Sequence, residues 1–194
     1  MPADRVDLLQ RLASATPKDT VRGFVFNSLI SLLSERLGEE AARACDPTGS
    51  NSRVDFFSYP AADLLQLVWN AADRLEAQMG GPEQAFFQFG RRAVERLLDS
   101  ALGKTLLTLA ARSPRRLLSQ VPASYRTTVS YGERTVEWLG ERSCRIVCRR
   151  DLFPVAYNRG LLMAGLEAIG ARNPRVEGRQ ARPLDLVFDI AWDP

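Results

Sequence analysis

TVSYGERTVEWLGERSCRIVCRRD, residues 128–151, is where the apolar period of this chain changes from 3.6 to 2. TVSYGERTVEWL and RSCRIVCRRD alternate on either side of Gly140-Glu141, the pattern of two strands joined by a tight hairpin. Upstream the chain reads as helix. Downstream, PVAYNRGLLMAGLEAIG (154–170) reads as a helix opened by Pro154 and closed by Gly170. Two more strands follow, RVEGRQ (175–180) and LDLVFDIAW (184–192). In the last, Leu184, Leu186, Phe188, Ile190 and Trp192 are expected on a buried face, with Asp185, Asp189 and Asp193 opposite.

The helical part begins with ADRVDLLQRLAS, where Val6, Leu8, Leu9 and Leu12 are expected on one face. VRGFVFNSLISLLSERLG follows, extended at its start and helical to Gly38. Residues 46–59 read as a loop rich in turn formers. Pro60 then opens a long helix whose stripe is Leu64, Leu65, Val68, Trp69, Ala72 and Leu75. Gly80-Gly81-Pro82 separates it from a helix carrying Ala85, Phe86, Phe89, Ala93, Val94 and Leu97. LGKTLLTLAARS and SPRRLLSQVPASYRTT supply two more, the last with a serine N-cap and proline at its first position. The expected fold class is α+β, a helical N-terminal region packed on a four-stranded, mainly antiparallel sheet of ββαββ order. One domain is expected over residues 1–194, divided into a helical extension (1–20), a helical part (21–128) and the ββαββ part (129–194).

The chain has 194 residues, 45% of them hydrophobic and 25% charged, the make-up of a soluble globular protein that needs no disulfide or metal to hold its core. MPADRVDLLQRLAS carries acids and has no apolar signal core, and no run reaches the length of a membrane span, so a cytoplasmic protein is expected. The net charge is +3 and the arginines are interleaved with acids, which argues against nucleic-acid binding. There is no histidine, so the commonest metal ligand and general acid–base group is missing. LGKTLL lacks the upstream glycine of a phosphate loop. No nucleophile–base set is evident, and the chain is not expected to be an enzyme.

Cys144 and Cys148 invite reading as a metal or redox pair. On a strand, residues four apart share a face but stand about 13 Å apart. Neither one metal nor a disulfide spans that distance. Cys144, Ile146 and Cys148 therefore read as the buried face of a strand.

With these elements in order, VRGFVFNSLISLLSERLGEEA (21–41), VDFFSYPAADLLQLVWNAA (54–72), SYGERTVEW (130–138) and YNRGLLMAGLEAIGARNPRV (157–176) resemble the defining stretches of a paralogous family expanded in myxobacteria, whose function is not established. More distantly, the layout resembles the superfamily of haem–nitric-oxide-binding, four-vinyl-reductase-type and TRAPP vesicle-tethering domains. There, helices cover a small antiparallel sheet and can enclose an apolar pocket. Haem–nitric-oxide domains hold iron with a histidine on the helix before the first hairpin; here that region, PASYR (122–126), has none. Of their tyrosine–serine–arginine motif, YGERT has only the tyrosine and an arginine. The sequence thus reads as excluding a histidine-ligated haem, and no cofactor or metal is expected.

The resemblance implies a non-enzymatic sensor or signalling domain with a small apolar ligand between helices and sheet. The alternative is an interaction or scaffold subunit that binds a protein partner or a second copy, without ligand. The aromatic residues Phe56, Phe57, Tyr59, Trp69, Phe86, Phe89, Trp138, Phe153 and Tyr157 are candidates to line such a pocket. The ligand-binding set expected is Tyr125, Trp138, Cys144, Cys148, Phe153, Tyr157 and Asn158, with Tyr125, Tyr157 and Asn158 orienting the ligand and the thiols serving as packing atoms.

Overall fold

Thr128 ends a helix and residues 129–132 turn where strand is expected, but from Glu133 the alternating stretch folds as its period requires. In the structure, a computed structural model that describes residues 5–194, it forms β3 (Glu133–Gly140) and β4 (Ser143–Arg149). They pair antiparallel with Glu133 opposite Arg149 and Trp138 opposite Cys144, and a bulge follows Trp138. Helix α8 (Val155–Ala168) then leads to β5 (Arg172–Arg182) and β6 (Asp185–Asp193). The sheet order is β3-β4-β6-β5, antiparallel throughout. Its inner face buries Cys144, Ile146 and Cys148 against Leu186, Phe188, Ile190 and Trp192. On the outer face Arg145 meets Asp189 at 2.7 Å. Leu184 departs from expectation: it sits in the β5–β6 turn at φ 62°, so its side chain leaves the strand face and packs with the helices instead.

The helical part comprises α1 (Arg5–Ser14), α2 (Gly23–Leu37), α3 (Glu39–Cys45), α4 (Ala61–Met79), α5 (Pro82–Asp99), α6 (Ala101–Ala110) and α7 (Pro114–Thr128). A small antiparallel pair, β1 (Thr20–Arg22) with β2 (Ser58–Pro60), precedes α2 and α4. The α4 stripe is buried at every expected position. Ser113 caps α7 by accepting the Arg116 N–H, with Pro114 next in line. Helix α1 corrects one reading. Leu8 is buried, but Val6 and Leu9 are 63% and 65% exposed, because 100° per residue carries them to the side away from Leu8 and Leu12. The expected start of that helix at Ala3 and Asp4 lies outside the described residues. In place of a wider apolar face, α1 docks through Arg11, which is buried, bonds Asp7 at 2.9 Å and donates to the Leu152 carbonyl. Among the described residues no helix is long and apolar enough to cross a membrane.

What positions the site is the crossing of α5 and α8. A Cβ at Gly90 would stand 1.9 Å from the Tyr157 carbonyl oxygen, and one at Gly160 would stand 2.0 Å from that of Phe87. The two glycines let the backbones touch, which no larger residue permits. Two core clusters result. One is built from the helices and includes Tyr131, Phe153 and Tyr157. The other lies between the sheet, α7 and α8 and includes both thiols of β4.

Candidate functional site

Five helices and the start of β3 leave a cavity of about 190 Å³ between them. Its apolar wall comes from Phe24 and Val25 of α2, Leu64 of α4, Ala93, Val94 and Leu97 of α5, Leu118 and Val121 of α7, and Leu161 and Leu162 of α8. Its polar end is made by Tyr125, Tyr131, Arg134, Asp151 and Asn158. The cavity's size is similar to that of an engineered apolar cavity of about 150 Å³ that admits benzene.

The local chain explains how those polar groups meet. Tyr125 lies on the last turns of α7, and Tyr131 and Arg134 follow across the turn into β3. Gly132 has φ 67° and is pressed against the carbonyls of Arg149 and Arg150, either of which a Cβ would approach to 2.8 Å. YGER thus folds back over the exit of β4, where Arg150, also at positive φ, turns the chain so that Asp151 is buried. Strand alternation then puts Arg134 on the inner face with Val136 and Trp138.

A buried cation on that face needs an anion, and Asp151 supplies it at 2.7 Å. The remaining bonds lock the pair. Arg134 also donates to Asn158 Oδ1 at 2.5 Å, the second Asp151 oxygen accepts the Phe153 N–H at 2.9 Å, and Asn158 Nδ2 donates to the carbonyls of Phe153 and Pro154. The Arg134 guanidinium stacks 4.0 Å from the centre of the Tyr125 ring, and the Tyr125 and Tyr131 rings meet edge to face. This stacking leaves three buried polar atoms without a hydrogen-bond partner among the described residues: Tyr125 OH, Tyr131 OH and Arg134 Nε. Burial opposes the charge on Arg134, but Asp151 outweighs it and the cation is held more firmly than usual. Burial, reinforced by nearby negative groups, pushes the phenols of Tyr125, Tyr131 and Tyr157 up, so all three are neutral at ordinary pH.

Of the residues expected to bind a ligand, Tyr125, Phe153, Tyr157 and Asn158 come together at this cavity. Trp138, Cys144 and Cys148 do not; they belong to the second cluster, whose sheet face is filled by Phe188, Ile190 and Leu186. Burial pushes the Cys144 thiol up to about 11 and the Cys148 thiol up to about 12, as suits packing atoms. Phe56 and Phe57 are 66% and 64% exposed and line no core. At the polar end, Tyr131, Arg134 and Asp151 are absent from the expected set, as are the aliphatic residues of the wall. YGERT, read only as an incomplete motif, held the signal. An arginine on the same strand face as Val136 and Trp138 requires a buried acid, and the aspartate that ends the hairpin meets that need.

A family model described as a protein of unknown function, DUF2378, matches residues 14–193. No curated protein matches the chain. The fold is similar to solved H-NOX structures. An H-NOX protein from S. oneidensis in the Fe(II)NO ligation state aligns with a TM-score of 0.69 at 13% identity, covering 89% of this chain and 99% of that one. The IWP-051-bound H-NOX from Shewanella woodyi in the Fe(II)CO ligation state gives 0.64 at 20%, covering 88% and 93%. A structure probing the function of haem distortion in the H-NOX family gives 0.65 at 10%, covering 89% and 95%. At these identities the likeness is one of fold, and it bears out the α+β class and the distant haem–nitric-oxide-binding resemblance.

The same neighbours overturn the expectation that no cofactor belongs here and that haem is excluded. Iron and haem appear in proteins of this fold, and a missing histidine removes one axial ligand, not the fold's capacity for a macrocycle. The residues around this cavity, however, do not fit a haem as they stand. Among the described residues no thiol lines it, the Tyr125 phenol is held neutral under a guanidinium, and the volume suits one or two rings better than four pyrroles.

Proposed function

Given that the chain belongs to the DUF2378 family of unknown function, we propose that it is a non-enzymatic sensor domain that binds a small apolar molecule in the cavity between α5, α7, α8 and the start of β3. One observation carries the reading: an apolar cavity of about 190 Å³ with three unpaired polar atoms gathered at one end. Native packing rarely leaves such atoms unmatched, and a ligand with hydrogen-bonding capacity matches them. Chemistry is disfavoured by the same geometry. Arg134 and Asp151 are locked to each other and the phenols are protonated, so none is poised to move a proton.

Native mass spectrometry of the full chain as purified, with and without added haemin, tests the proposal, together with thermal shifts in a panel of small aromatic compounds. A bound mass of one- or two-ring size, or stabilisation by such compounds that Val94→Phe abolishes, is expected. A bare mass with no stabilisation by any compound contradicts it, and stoichiometric haemin uptake with a Soret band replaces it with a haem protein.

A second reading, an interaction subunit, is favoured by one surface feature. Val54, Phe56 and Phe57 lie exposed together in the segment before β2. If that patch joins copies, the native mass doubles and Phe56→Ser/Phe57→Ser returns it to that of one chain. A single-chain mass at every concentration contradicts self-association.

A further inference from the structure

The unpaired atoms specify the ligand more narrowly than the cavity's size does. Resting on the ligand-binding reading, we propose that the cavity takes a neutral one- or two-ring molecule carrying a carbonyl or ether oxygen, and that it selects against anions of the same size. Arg134 Nε is a donor and has no acceptor function. The Tyr131 and Tyr125 hydroxyls are held neutral, so each keeps a proton that it can donate. Each is buried; a hydroxyl can be matched by either kind of partner, but Arg134 Nε is matched only by a lone pair, so one atom that serves all three is an acceptor. The ligand's polar atom is therefore an acceptor.

Charge decides the rest. Arg134 faces the cavity with its charge already balanced by Asp151, which is 1% exposed and fully bonded to Arg134 and to the Phe153 N–H. Among the described residues no other charged side chain lines the cavity. A carboxylate entering it loses its water, meets an apolar wall and approaches the Asp151 carboxylate, with no uncompensated cation in return. A ketone, ether or similar oxygen takes the same donors at far smaller desolvation cost.

Three probes of one size separate these possibilities when titrated calorimetrically into the full chain: acetophenone (neutral acceptor), ethylbenzene (no acceptor) and benzoate (charged acceptor). Acetophenone is expected to bind at least about tenfold more tightly than ethylbenzene, with benzoate weaker than acetophenone by at least as much. Tyr131→Phe, which removes one donor and little volume, should narrow the acetophenone-to-ethylbenzene ratio several-fold. Equal binding of acetophenone and ethylbenzene overturns the inference, since the donors are then satisfied by water, and benzoate binding most tightly overturns it in favour of an anion site. Both results leave the apolar cavity reading intact. Failure of all three probes to bind defeats that reading, and the inference with it. A ratio unmoved by Tyr131→Phe, in a variant that melts normally, removes Tyr131 from the donor set and contradicts the assignment.

Discussion

The two core clusters are built from the same kinds of residue and have opposite characters. Beneath the sheet, Cys144, Ile146, Cys148, Phe188 and Trp192 interlock, apolar surface against apolar surface. Among the helices, Tyr125, Tyr131 and Arg134 leave polar atoms unmatched beside a cavity. The sequence draws the eye to the first region, because two cysteines four apart look like chemistry. The structure puts the unfilled demand in the second. Binding sites are marked by unmet polar groups and space, more than by reactive residue types.

That contrast can be broken by experiment, and the largest effects come first. Phe188→Ala, in the filled cluster, is expected to cost about 3–5 kcal/mol in urea unfolding while leaving the probe affinities of the folded protein unchanged. Asp151→Ala should cost a similar amount, about 3–5 kcal/mol, because it strands a buried arginine. Here the probe affinities should also change, and the additional substitution Arg134→Met should recover part of the lost stability. Equal effects of these two single variants on binding would erase the distinction between clusters.

A smaller effect sharpens the comparison by pH. The Asp19 carboxyl is held down to about 2, chiefly by its hydrogen bonds to Arg150, against the cost of burial. A depressed carboxyl stabilises the fold fully above its unfolded value near 3.8, and that contribution is lost as pH falls towards about 2. It is worth about 1–2 kcal/mol, since Arg150 is partly exposed and screened. Asp19→Asn should remove this part of the acid transition and leave probe binding at neutral pH untouched. The cavity-filling variant Val94→Phe should cost no more than about 1–3 kcal/mol yet abolish probe binding. Least affected of all are the thiols. Cys45, Cys144 and Cys148 are buried, with burial raising each thiol's pKa, so a thiol reagent at pH 8 should label none of them until the chain unfolds.

Much of the fold is legible from period and punctuation. The change at residue 128, the glycine at 140 and the prolines at 114 and 154 mark elements that the structure contains. The pair β1–β2 is harder to see, because three-residue strands show no alternation. Leu184 misleads because a turn residue at positive φ extends a strand's pattern without continuing its backbone. The candidate site is half legible. Tyr125, Phe153, Tyr157 and Asn158 come from where their elements pack, but the partnership of Arg134 with Asp151 joins positions 17 apart across a hairpin. Nor does spacing reveal that two phenols and a guanidinium nitrogen are left without partners, since that is a property of packing.

The central claim is that ligand binding belongs to the helical cluster. Methyl-labelled NMR of the full chain, titrated with acetophenone, tests it most directly, because both clusters carry reporting methyls. The account predicts saturable shifts at Val25, Leu64 and Leu161, which line the cavity and belong to the helical cluster, with Ile146, Leu186 and Ile190 beneath the sheet unmoved. Shifts centred on Ile146, Leu186 and Ile190, or no saturable shift at any methyl, would contradict it.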